Sequence, residues 1–228
     1  MKLLLKSKQS EGPGVMSYIF EAAAPLIWKA GQFLHFVLHH EPTDNRGSDR
    51  WFTIASAPSE KSVMLTTRLM EQKGSTFKLA LEDLKPGDAI EMSDLDGDFV
   101  VEDLTAHYVF IAGGIGITPI RSILKELDHA GQSISATLLY ANRDEHVAFR
   151  EELDHFAQHN PKLKIHDVTA PQRVDAALIK DLVPDLKIPL FYVSGPEPMV
   201  EQLGQMLKDL GVPTDHLKQD WFPGYPAE

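Results

Sequence analysis

The rhythm of apolar residues changes near residue 104, and few folds accommodate such a change within one chain. Before it, short apolar runs at 16–20, 33–38, 52–55, 63–69 and 89–92 are separated by Gly12-Pro13-Gly14, Asp44-Asn45-Arg46-Gly47-Ser48, Pro86-Gly87-Asp88 and similar turn-rich stretches. Many short strands between turn signals imply an antiparallel barrel or sandwich. One helix, over 76–84, interrupts them. From residue 105 strands and helices alternate. Strands are expected at 108–112, 134–140, 164–168 and 189–194, and helices at 119–129, 147–159, 175–182 and 199–210. That alternation implies a parallel sheet flanked by helices. Two domains are therefore expected, 1–104 and 105–228.

Composition narrows the function. Thirty-three Asp+Glu against 22 Lys+Arg leave a net charge of −11, which argues against a nucleic-acid or anionic-membrane surface. The absence of cysteine excludes iron–sulfur clusters, thiolate zinc sites, disulfides and Cys nucleophiles. Met1-Lys2-Leu3-Leu4-Leu5-Lys6-Ser7-Lys8 has too short an apolar core for a signal peptide, and no apolar run is long enough to span a bilayer. A cytoplasmic protein, monomeric by default, is expected. No metal site is expected either. Asp94, Asp96 and Asp98 resemble a calcium loop, but Phe99 and Thr105 stand where its glycine and bidentate glutamate belong. His39-His40 lacks the helical spacing of a paired site.

Two glycine-bearing turns carry the chemistry of the second half. Gly113-Gly114-Ile115-Gly116-Ile117-Thr118-Pro119 joins a strand to a helix, with Thr118 placed to cap it and Pro119 to open it. A helix amino end beside a parallel strand suits a phosphate; a plain βα turn needing glycine only for packing is the alternative. Ser194-Gly195-Pro196-Glu197-Pro198-Met199 is a second such turn, and the two would share one crevice. Asn142 and Arg143, after the second strand, would lie on its rim, where Arg143 could hold a ribose 2′-phosphate or simply be solvated. In the first half, Arg50-Trp51-Phe52-Thr53 puts Arg50 and Phe52 on one side of a strand and Thr53 on the other. Arginine pairs with phosphate and a ring stacks on a planar heterocycle; an ordinary edge strand is the alternative. Gly74-Ser75-Thr76 opens the lone helix with a cap. Asp220-Trp221-Phe222-Pro223-Gly224-Tyr225 reads as an aromatic tail following the last strand.

Taken in order, these segments resemble the ferredoxin–NADP reductase superfamily across nearly the whole chain. Trp28-Lys29-Ala30-Gly31-Gln32-Phe33 is similar to its aromatic-x-Pro-Gly-Gln strand, with Ala30 for proline, and Arg50-Trp51-Phe52-Thr53 to its Arg-x-Tyr-Ser/Thr flavin motif. The resemblance implies an antiparallel Greek-key β-barrel that holds FAD and an α/β domain that holds NADPH or NADH. It assigns Arg50 to the flavin pyrophosphate, Phe52 to the isoalloxazine, and Thr53 to flavin N5. Trp51, Thr67, Arg68, Gly74, Ser75 and Thr76 join them in the flavin site. Gly113, Gly114, Gly116, Thr118, Asn142, Arg143, Gly195, Pro196 and Met199 are assigned to the nicotinamide nucleotide. Ser194 replaces the family's cysteine near the nicotinamide, and of the terminal aromatics Phe222 is favoured over Trp221 and Tyr225 to cover the flavin. The implied activity passes hydride from NAD(P)H to FAD and electrons to a separate acceptor, a ferredoxin, a flavodoxin or a small molecule. A free-flavin or ferric reductase and a nucleotide-binding subunit without turnover are the alternatives.

Overall fold

The computed structural model describes residues 1–69 and 75–222, and its strands fall into two sheets. Gly74 and Tyr225, both nominated from the sequence, lie outside the described residues. The first sheet is antiparallel and holds β1 (Lys2–Gly12), β2 (Val15–Ala22), β3 (Phe33–Val37), β4 (Asp49–Thr53), β5 (Val63–Arg68) and β6 (Ala89–Asp96) in the order β4-β3-β6-β1-β2-β5. Alternation decides which faces turn inward. In β1, Leu3 and Leu5 are buried while Lys2, Leu4 and Lys6 are exposed. The sheet curls around Tyr18, Phe20, Leu34, Phe36 and Leu65. Just past β4, Ala55 N–H donates to Met64 O of β5 at 2.8 Å, drawing the two outer strands together without a full ladder. Helix α1 (Thr76–Asp83) packs Phe77 and Leu81 into this core.

The second sheet is parallel and reads β11-β10-β7-β8-β9. Its strands are β7 (His107–Gly113), β8 (Ser135–Asn142), β9 (Leu163–Thr169), β10 (Leu190–Pro196) and β11 (Leu217–Phe222). Helices α2 (Thr118–His129), α3 (Arg150–His159), α4 (Ala176–Leu182) and α5 (Glu197–Asp209) connect them. Central β7 is buried on both faces from Tyr108 to Gly113, as a strand covered by helices on either side must be. The chain leaves β7 toward β8 and β9, then returns to pair β10 on its other side, so the order reverses between β7 and β10. A crevice opens outside the carboxyl ends of strands at such a reversal.

Several sequence expectations shift. β1 is not among the expected strands, because its charged opening resembles a targeting segment; its Leu3/Leu5 alternation is the strand signal. The expected tail at Asp220, Trp221 and Phe222 is itself strand β11, paired in parallel with β10. α3 begins at Arg150 rather than 147, because Phe149 adopts a left-handed φ of 60° and stops the helix there. Among the described residues no helix is long and apolar enough to cross a membrane.

Candidate functional site

The glycine-bearing turn after β7 does two different jobs. A Cβ on Gly113 would lie 2.3 Å from Met199 Sδ, and one on Gly116 would lie 2.3 Å from Ser194 O. Both glycines are therefore demanded by packing of the turn onto β10 and α5, and Met199 serves that packing. Gly114 has φ +51° and open space beyond it, so it is the glycine a ligand could approach. A Cβ on Gly195, at the end of β10, would lie 3.2 Å from Gly113 N, so the two turns approach closely there. Thr118 is not the expected cap. Residues Gly114–Ile117 already form a 3-10 turn, Thr118 is the first residue of α2, and its hydroxyl donates to Ile115 O at 3.1 Å. The helical amino end is thereby drawn back toward the tip of β7.

On the other side of the crevice, β10 carries Ser194, fully buried, with an Oγ that has no hydrogen-bond partner. Beside it in register stands Asp220 of β11. Thr53, the last residue of β4 and 3% exposed, donates to Asp220 Oδ2 at 3.5 Å, the outer limit of a hydrogen bond. One hydroxyl from the first sheet and two polar groups from the second thus meet at the junction of the halves. Burial pushes the Asp220 carboxyl up to about 7, and the Thr53 hydroxyl opposes that only in part. Phe222 pairs with Pro196 and packs against the core behind the turn, whereas Trp221 is about half exposed. Asn142 ends β8, and exposed Arg143 follows it on the rim.

Along β4 the expected two-sidedness holds. The Arg50 guanidinium lies 5.5 Å from the Phe77 ring, and the Phe52 ring 5.8 Å from the same ring. Trp51 points the other way, against Phe33 and His35. Phe52 also meets Phe36, so part of its ring is committed to the core. Thr67, on β5, is 1% exposed with an unpartnered Oγ1. Arg68 follows it and acts electrostatically on the Tyr140 hydroxyl of β8, across the junction.

Asp44, read in the sequence only as part of a turn, joins this site. Its carboxylate accepts from Arg50 Nη2 at 3.0 Å, from Thr76 N–H at 3.2 Å and from Arg46 N–H at 2.9 Å. Burial pushes this carboxyl up, but the Arg46 and Thr76 amides and the two guanidiniums outweigh that and hold it at about 2. Thr76 Oγ1 is engaged by Asp44 N–H and His40, and Ser75 caps α1 through Lys78 N–H. An arginine and the amino end of α1 thus already converge on one anion, supplied by the chain itself.

Comparison with known proteins places this geometry. Residues 110–205 match the oxidoreductase NAD-binding domain family. The chain is 28% identical over 190 residues to the carnitine monooxygenase reductase subunit of Escherichia coli (strain K12), covering 82% of this chain and 57% of that one. The chain spans about half the length of the curated relatives it matches. Among solved structures it resembles the FAD/NAD-binding domain of nitric oxide dioxygenase from Vibrio cholerae, with a TM-score of 0.82 at 21% identity over 97% of this chain and 98% of that one. It also resembles ferredoxin–NADP+ reductase from Plasmodium falciparum, with a TM-score of 0.80 at 17% identity over 97% and 95%. The fold of both halves is therefore the one these FAD/NAD-binding and ferredoxin–NADP+ reductase structures share, and within it residues 110–205 match an oxidoreductase NAD-binding domain.

Proposed function

We propose that the chain is a flavin-dependent NAD(P)H reductase. FAD is held along β4, β5 and α1, the nicotinamide nucleotide over the β7 and β10 turns, and electrons leave to a separate acceptor. The observation that carries this is the junction itself: Thr53 from one half meets Ser194 and Asp220 from the other at the carboxyl ends of β10 and β11. The residues suit these groups. Among the described residues nine buried polar side-chain atoms lack partners, and four of them, Arg50 Nε, Thr67 Oγ1, Asn142 Nδ2 and Ser194 Oγ, belong to residues assigned to the site from the sequence. The donors around Asp44 are those a pyrophosphate needs, and the space beyond Gly114 is open.

A flavin bound there supplies the redox chemistry, taking hydride from reduced nicotinamide and releasing electrons to the acceptor. The chain binds, orients and holds protons. Arg50 and the Thr76 amide exchange the Asp44 carboxylate for the pyrophosphate. Phe52 fixes the plane of the ring, an alignment worth about 0.5–1.5 kcal/mol beyond burial. Ser194 offers its free hydroxyl beside the nicotinamide. Asp220, titrating near neutrality, holds a proton on its carboxyl while Oδ2 accepts from Thr53 Oγ1. Arg143 on the rim favours NADPH over NADH, a lean that neighbouring Asp144 and Glu145 weaken. The acceptor lies outside these 228 residues, which hold no cysteine for an iron–sulfur cluster, and a small redox protein or a small molecule fits that role.

An anion cradle is useful for holding FAD and superfluous for riboflavin, which separates this reading from a free-flavin reductase. Reconstituted protein passed through gel filtration is expected to retain FAD at about one per chain and to release riboflavin. Equal loss of both sinks the held-cofactor reading.

Asp220 gives a pH signature. Its carboxyl is raised from 3.8 to about 7, so between those values the folded state keeps a proton that the unfolded state has released. Stability therefore falls as pH rises through that window. Asp220→Asn, neutral throughout, is expected to gain in Tm relative to wild type as pH rises from about 4 to about 7. A Tm difference independent of pH contradicts the assignment.

A further inference from the structure

At the amino-end edge of the parallel sheet, remote from the crevice, three ligand-bearing side chains converge. α2 runs from the carboxyl end of β7 back to the start of β8, and α3 from the end of β8 back to the start of β9, so both helices finish at that edge. Asp128 sits in the last turn of α2. His155 and His159 stand four residues apart on α3, one above the other on a single helix face. His159 Nδ1 lies 3.0 Å from Asp128 Oδ1, and His155 Nε2 lies 3.5 Å from Asp128 Oδ2. The imidazole centroids are 3.9 Å apart, and the three ligand atoms all lie within 4.8 Å of one another.

We propose that Asp128, His155 and His159 form a binding site for a divalent transition-metal ion of the Zn2+ class. Tetrahedral zinc with N and O ligands at about 2.0–2.1 Å sets neighbouring ligand atoms about 3.3 Å apart. The two carboxylate–imidazole separations, to Oδ1 and to Oδ2, lie near that spacing, and with one donor atom from each residue all three fall within 4.8 Å of one another, so small rotations of exposed side chains close the site. Two imidazoles and one carboxylate suit zinc, nickel or copper and not the all-oxygen shells of Mg2+ and Ca2+. The carboxyl ends of α2 and α3 add the negative ends of two helix dipoles to the carboxylate charge. The histidine side chains are 48% and 57% exposed, and a 220 Å³ cleft lined in part by Asp128 and His159 opens beside them, so water can complete the coordination. The ion would clamp the last turn of α2 to α3. The His155/His159 spacing is legible in the sequence; its third ligand is not, because Asp128 lies 27 residues from the nearer histidine and only the fold brings them together.

The test uses Zn2+ alone on the chelator-stripped 228-residue chain, with or without flavin. Calorimetry is expected to show about one Zn2+ per chain, lost by at least about 100-fold in His155→Ala/His159→Ala, since loss of even an outer partner costs about 10–100-fold. Zn2+ at about tenfold over its Kd should raise Tm by about 3–6 °C in wild type and not in the variant. Asp128→Asn should weaken binding while Mg2+ gives no shift with any of these proteins. Matching metal-free Tm values show that the variants fold. Failure of wild type to bind Zn2+, or unchanged affinity in the double variant, overturns the proposal. Neither outcome bears on flavin binding.

Discussion

Arg121→Ala is expected to lower Tm by on the order of 10 °C, the largest single effect on stability foreseen here. Arg121 is 2% exposed, yet its guanidinium serves both halves. Nη1 donates to Ala55 O at 3.0 Å and to Glu60, while Nη2 donates to Glu60 Oε1 at 3.0 Å and Glu152 Oε2 at 2.8 Å. Ser122 Oγ donates to Ser56 O at 2.7 Å, and Glu126 accepts from Ser59 N–H at 2.8 Å. α2 thus holds residues 55–60 by side chains alone. Removing the cation leaves two carboxylates facing each other, and breaking a buried pair costs about 3–5 kcal/mol. At about 2–4 °C per kcal/mol for a chain of this size, the melt should register it plainly. Neutralising the partners as well, in Glu60→Gln/Glu152→Gln/Arg121→Met, should recover much of the loss, because an uncompensated charge is the main cost. A Tm within about 2 °C of wild type in Arg121→Ala would mean that this cluster does not hold the halves together. The same segment begins two residues after Thr53, so loosening it also moves Thr53 away from Asp220.

Arg50→Ala is expected to weaken FAD binding by about 10–100-fold, the value of a charge-assisted hydrogen bond of about 1.5–3 kcal/mol. Fluorescence titration of apoprotein reads this directly. The rate of reduction by NAD(P)H in flavin-saturated variant should change much less, because Arg50 is placed for the pyrophosphate and not for the reacting rings. Asp44→Ala is the informative companion. It frees Arg50 and the Thr76 amide from an internal competitor, so it should leave FAD binding intact or tighter while Arg50→Ala loosens it. Unchanged FAD affinity in Arg50→Ala removes the pyrophosphate assignment.

What could be read from the chain followed the range of the interactions. The two architectures follow from local periodicity, and so do β7, a helix cap at Ser75 or Thr76, of which the fold uses Ser75, and the turn at Gly113-Gly114. These are decided by residues within a few positions of one another. The two-sidedness of β4 followed from strand alternation. What escaped was long-range or displaced by context. Asp44 seemed turn punctuation until the fold brought α1 onto it, 32 residues away. Arg121 looked like any helical arginine, though its partner Glu60 is 61 residues away. Asp220 to Phe222 lacked a strand pattern because they extend a parallel edge, where pairing with β10 decides the conformation. Gly113 and Gly116, expected in the ligand turn, are also required by the chain's own packing, which only the positions of Met199 and Ser194 reveal.

The most direct test is an anaerobic titration of FAD-loaded protein with NADH and with NADPH, followed by the flavin absorbance. If the junction of Thr53, Ser194 and Asp220 seats both rings, the yellow colour should bleach with about one equivalent of at least one coenzyme per flavin. Protein that takes up FAD yet keeps its colour through excess of both coenzymes contradicts that arrangement.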